Sequence, residues 1–143
     1  MEMFEEYKFT EHSAADINRM IPKRCRLQGS RCKNCGALFV TKRLICPDCK
    51  TGTEFEPVEI SGRGKVHTCT AVRIPLLPVL KRGSYAVGVV ELEEGARAEG
   101  QIVDVELDDV KIGMEVESTV RKAREEYPGK VIYMYRFKPV KKR

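Results

Sequence analysis

The chain has 143 residues, 42% hydrophobic and 33% charged, with six cysteines and a formal net charge of +5. That length accommodates one full core plus a small stapled module, and it is too short for two large domains. The longest apolar run, residues 74–80, is broken by Pro75 and Pro78, so it does not supply a bilayer-spanning helix, and +5 falls far short of a histone-like excess.

The distribution of charge says more than its total. Residues 21–50 carry eight basic side chains and one acidic, residues 91–117 carry two basic and ten acidic, and residues 118–143 carry nine basic and two acidic. A uniform nucleic-acid groove has no use for the acidic block, which would repel phosphates. A protein that docks on other proteins uses both signs.

In chain order, residues 1–24 are expected to be partly helical. Ser13-Ala14-Ala15-Asp16 has the form of a capping box, Ile17, Met20 and Ile21 follow at helical spacing, and Pro22 ends the run. Met3, Phe4, Tyr7 and Phe9 form an apolar cluster ahead of it. Cys25 stands outside the cysteine pairs that follow and reads as a free or buried thiol, and His12 as a surface residue.

Residues 31–50 hold the chemistry. Cys32-Lys33-Asn34-Cys35 and Cys46-Pro47-Asp48-Cys49 are two hooks that offer four thiolates, the soft tetrahedral set that zinc prefers. Gly36 stands where a knuckle closes with positive φ, Pro47 stiffens the second hook, and Leu38, Phe39 and Val40 suit a short strand between them. The spacing predicts a zinc ribbon with Cys32, Cys35, Cys46 and Cys49 as ligands. Disulfides, a redox dithiol and an iron centre of rubredoxin type are the alternatives. The chain opens without a signal peptide, so a reducing, cytoplasmic setting is expected and argues against bridges. Four thiolates leave no open position for water, which makes the expected metal structural.

Beyond Cys49 the period becomes two. Strands are expected over residues 53–60, 65–73, 85–92, 98–107, 115–123 and 131–140, with turns at residues 61–64, 93–95 and 126–130. His67 and Cys69 are expected to share a strand face, and neither is assigned a role. The proline-rich connection 74–84 ends in Lys81-Arg82-Gly83 and is a candidate contact surface. Five strands in about 80 residues, one bearing Gly88, suit a small closed barrel of the OB type, in which the loops after its first and fourth strands carry the ligand. The predicted fold is therefore mainly β, with a helical arm over 1–30, a rubredoxin-like ribbon over 31–52 and a five-stranded OB barrel within 53–143.

Arg31-Cys32-Lys33-Asn34-Cys35-Gly36, Cys46-Pro47-Asp48-Cys49, Ser61-Gly62-Arg63-Gly64-Lys65-Val66 with Thr70, Tyr85-Ala86-Val87-Gly88 and Ile112-Gly113-Met114-Glu115-Val116 together resemble the zinc-ribbon OB-fold proteins known as domain of unknown function 35. The resemblance covers nearly the whole chain. It implies an acyl-CoA-associated, non-catalytic subunit, and in archaea one that joins acetoacetyl-CoA thiolase to hydroxymethylglutaryl-CoA synthase in the mevalonate route to isoprenoids. Zinc, with CoA or acyl-CoA as a shared ligand, is the implied cofactor set. Arg63, Lys65, Lys81 and Arg82 are the cations expected to meet CoA phosphates.

The residues agree in one respect: two histidines, no Ser or Cys beside an evident base and no Gly-rich phosphate loop leave no catalytic set in the sequence. The competing readings are a single-strand nucleic-acid binder and an acyl-CoA partner of some other thiolase. Tyr85, Tyr127, Tyr133, Tyr135 and Phe137 are too scattered for a stacking ladder, which weighs against nucleic acid.

Overall fold

A computed structural model of the chain describes residues 21, 25–41, 43–50, 54–74, 83–127 and 130–141, with the backbone alone at 124–127 and 130. The expected helical arm therefore lies almost wholly outside the described residues. Where the chain enters them it is soon extended: Leu27 is buried in the barrel core and β1 (Gln28–Cys32) follows at once. The last residues of the span expected as an arm are thus strand.

Two sheets share the rest. β1 lies between β2 (Leu38–Phe39) and β3 (Phe55–Glu59), antiparallel to both, with Ser30 opposite Phe39 and Cys32 opposite Phe55. β3, expected within the barrel region, belongs instead to this small sheet. Its alternating sequence made it a strand, but nothing in that alternation says which edge it joins. Residues 61–64 accordingly do not turn a hairpin. They carry the chain from one sheet to the other, with Gly62 at φ +77°.

The second sheet closes on itself. β4 (Arg63–Val72), β5 (Tyr85–Leu92), β6 (Arg97–Ile102), β7 (Glu115–Tyr127) and β8 (Lys130–Pro139) form a barrel in the order β4-β5-β6-β8-β7, with β7 returning to β4. β6 and β8 run parallel and the other neighbours antiparallel, which is the five-stranded Greek-key closure of an OB barrel. β6 stops at Ile102, five residues earlier than expected. Asp104 then adopts φ +60° and a single 3-10 turn occupies Leu107–Asp109.

Alternation fills the barrel. Val66, Ala86, Val90, Leu92, Ala98, Ile102, Val116 and Phe137 point inward and are buried. Gly88 lies against the Thr68 carbonyl, where a Cβ would have no room, so glycine lets two strands approach closely there. Phe137 is fully buried and Tyr135 meets it edge to face at 5.9 Å, whereas Tyr133 is 52% exposed. The aromatic row of β8 thus grades from core to surface.

The small sheet is fastened to the barrel. Leu27 plugs the core, Leu38, Val40 and Ile60 pack against it, and Ser118 N–H donates to the Gly62 carbonyl at 2.8 Å. The Ser61 N–H donates to Glu94 Oε1 at 2.6 Å.

Candidate metal centre and its surroundings

The two hooks fold alike. In the first, Gly36 N–H donates to the Cys32 carbonyl at 2.9 Å and Gly36 takes φ +76°; in the second, Lys50 N–H donates to the Cys46 carbonyl at 2.9 Å and Lys50 takes φ +54°. Gly36 does what its position predicted. Lys50 is the counterpart that residue type concealed, because a non-glycine residue rarely adopts this conformation.

This matched pair of turns brings four sulfurs together. Cys32 Sγ lies 3.7 Å from Cys49 Sγ, Cys35 Sγ lies 3.5 Å from Cys46 Sγ, and all four fall within 4.8 Å of one another. A tetrahedron of sulfurs at zinc's bond length of about 2.3 Å has edges of about 3.8 Å. The cluster fits such an ion in size and in donor chemistry. Cys32 and Cys46 are buried, Cys49 is half-buried and Cys35 is exposed.

The Ala37 N–H donates to Cys35 and favours its thiolate, but desolvation and the crowding of Cys46, Cys32 and Cys49 win, and the thiol is pushed up to about 12. Without a cation the fourfold cluster holds protons; a metal supplies the charge that lets them go. Within the surrounding sheet itself the contacts among described side chains are few. Phe39 and Phe55 meet edge to face at 6.4 Å, the Arg43 guanidinium sits 4.8 Å above the Phe39 ring, Ser30 donates to the Thr41 carbonyl, and Lys33 pairs with Glu54 at 2.8 Å.

Of the four cations expected at CoA phosphates, two are among the described residues. Arg63 and Lys65 are both exposed at the start of β4, where Gly64 stands opposite Leu92. The connection 75–82, with Lys81 and Arg82, lies outside the described residues; Gly83 and Ser84 beside it sit at the opposite end of the β4–β5 hairpin, Ser84 donating to the Arg73 carbonyl. His67 and Cys69 do not share a face. A β-bulge between Val66 and Thr68 breaks the period, leaving His67 exposed 3.8 Å from Glu91 while Cys69 packs toward the core near the Val110 carbonyl. Among the described residues no helix is long and apolar enough to cross a membrane.

Sequence reasoning missed Leu27 and Glu94, which join the two sheets. A lone leucine after basic residues and the middle residue of an ordinary turn carry no signal for that role.

Residues 57–121 match the family described as ChsH2, C-terminal OB-fold domain. Over 123 residues the chain is 46% identical to a DUF35 domain-containing scaffold protein of Methanocaldococcus jannaschii, an alignment that spans 85% of this chain and 87% of that one. The chain belongs to the DUF35 family. A relative of another kind is the benzoylsuccinyl-CoA thiolase subunit BbsA of Thauera aromatica, 34% identical over 80% of this chain and 76% of that protein. Among solved structures, the Ltp2-ChsH2(DUF35) aldolase is similar with a TM-score of 0.65 and 30% identity, covering 80% of this chain and 84% of that one. These relatives are thus named as a scaffold protein, a subunit of a CoA-thioester thiolase and a DUF35-containing aldolase.

Proposed function

We propose that this DUF35 chain is a non-catalytic scaffold subunit of an acyl-CoA enzyme complex, with a thiolase as its partner. The observation that carries this is its similarity, over four-fifths of its length or more, both to a scaffold protein and to a thiolase subunit. The finer reading is that it joins acetoacetyl-CoA thiolase to hydroxymethylglutaryl-CoA synthase. Condensing two acetyl-CoA is uphill, and a bridge that raises the effective concentration of one active site near the other lets the downhill synthase step draw the intermediate forward.

In this reading Cys32, Cys35, Cys46 and Cys49 hold one structural zinc ion, which stiffens a docking surface. Leu44 and Ile45, 85% and 62% exposed beside Arg43 at the rim of the second hook, form its apolar tip. An exposed pair of aliphatic side chains next to a cation suits a protein partner. Arg63, Lys65, Lys81 and Arg82 are the proposed CoA-phosphate contacts.

Co-expression of the chain with the thiolase and synthase of its own genome, followed by size-exclusion chromatography with nuclease treatment, tests the assembly. A ternary peak whose condensation flux exceeds that of the two enzymes mixed without the chain supports the bridge. A binary peak with the thiolase alone supports the coarser reading and removes the synthase. Partners lost on nuclease treatment overturn both. Reversing Lys81 and Arg82 to Glu should raise KM for the CoA substrate at least fivefold; an unchanged KM removes those contacts.

A further inference from the structure

Between the small sheet and the barrel lies an open groove of about 480 Å³. One wall is β2 with the residues that lead to Arg43, the other is the start of β6, and Tyr135 lies between. Both walls are strand edges.

β2 is the outermost strand of its sheet. The Cys32 N–H donates to the Ala37 carbonyl, so in the alternation of an antiparallel pair Ala37 and Phe39 face β1 and the N–H and C=O of Leu38 point away from it. β6 pairs with β5 along its whole length but with β8 only where Ile102 stands opposite Phe137. The Leu92 N–H donates to the Ala96 carbonyl, which sets the even-numbered residues of β6 toward β5 and turns the main-chain groups of Arg97 and Glu99 outward. The Glu99 carbonyl accepts the Tyr135 hydroxyl at 3.1 Å. Among the described residues, the N–H groups of Arg97 and Glu99 have no partner. A free edge of this kind is a template for another strand.

Charge selects what enters. The Arg43 guanidinium stacks on Phe39 at the rim, and Arg97 is held only loosely by Glu91 at 4.0 Å. Glu91 and Glu99 both stand near Arg97, so the cation of the groove that has no carboxylate partner among the described residues is Arg43. Its volume suits an extended segment of a few residues, within the usual range of ligand clefts.

We infer that this groove receives an extended acidic segment of the partner enzyme, which adds to the free edge of β6 and places a carboxylate between Arg43 and Arg97. Main-chain hydrogen bonds hold the strand and the two guanidiniums choose it, the division of labour usual in strand addition. The incoming N–H takes the Glu99 carbonyl and displaces the Tyr135 hydroxyl. The inference rests on the scaffold reading for its partner, though not for the groove itself.

Residue-resolved amide exchange of the ¹⁵N-labelled chain, alone and in its complex with the thiolase, is the test. In the free chain the amides of Arg97 and Glu99 should exchange fast while Ala98 and Gly100, bonded to β5, are protected. Assembly should slow Arg97 and Glu99 at least tenfold and leave Ala98 and Gly100 unchanged. Arg43→Glu combined with Arg97→Glu should weaken association at least tenfold with the metal content of the free chain unchanged and no fall in Tm beyond that of Arg43→Ala, which loses the same Phe39 contact. A complex that forms with no change at Arg97 and Glu99 overturns the inference and leaves the scaffold reading standing. If no complex forms, the scaffold reading falls. An alternating valine–glutamate hexapeptide then probes the groove directly: shifts confined to the Arg97 and Glu99 amides and the Tyr135 ring support it, and their absence at millimolar peptide overturns it.

Discussion

The Ser61 N–H donates to Glu94 Oε1 at 2.6 Å, across the point where the chain leaves the small sheet and enters the barrel. Burial would raise the Glu94 carboxyl, but the Ser61 amide and hydroxyl together with its own amide outweigh it and hold the group below its ordinary value. A carboxyl lowered by folding contributes stability above its unfolded pKa, near 4.3, and loses that contribution as pH falls through the folded value. Glu94→Gln should therefore cost about 1 kcal/mol at neutral pH, below the roughly 1.5–3 kcal/mol of a charged hydrogen bond because solvent screens it. The gap to wild type should narrow below about pH 4. Urea denaturation at pH 7 and at pH 3.5 measures both.

Gly62→Ala should be more damaging. The residue sits at φ +77°, and a Cβ there would collide with Ser118 Oγ. Backbone strain of this kind costs about 1–3 kcal/mol before the collision is counted. Adding Ser118→Gly should recover the steric part only, so the double variant is expected between the single variant and wild type in Cm.

Removing the metal should loosen one sheet and spare the other. A chelator, or Cys46→Ser, is expected to abolish amide protection in β1, β2 and β3 while β4 to β8 stay protected. Among the described residues the small sheet has no fully buried apolar cluster of its own, being held by the Phe39–Phe55 and Arg43–Phe39 contacts, the Lys33–Glu54 pair and partly buried side chains against the barrel, whereas the barrel has a closed core. Because the free Cys35 thiol is pushed up to about 12, zinc uptake at pH 7 should release its proton. Calorimetry in buffers of different ionisation enthalpy reads that release.

Phe137→Ala should cost about 3–5 kcal/mol, the usual penalty for a large side chain lost from a core. Phe137 is fully buried, and its ring lies 3.0 Å from where a Cβ on Gly100 would be. Gly100→Ala should thus destabilise the wild-type chain and be better tolerated beside Phe137→Leu, whose smaller side chain makes room. Guanidinium denaturation of the four proteins checks the coupling.

The four cysteines, the knuckle glycine and most barrel strands were legible in the sequence, since metal-hook spacing and a period of two are local patterns that side-chain chemistry writes directly. The His67–Cys69 face was misread because a bulge shifts register without changing residue type. Lys50 escaped notice for a similar reason, as a left-handed lysine looks like any other.

By itself, then, the sequence determined the donor set, the β character and the family. Which sheet β3 joins, how Leu27 and Glu94 bind the two sheets into one body, and the groove between β2 and β6 were decided only by the tertiary structure. Edge pairing and the meeting of distant residues depend on how the sheets close, and no local pattern in the chain encodes that closure.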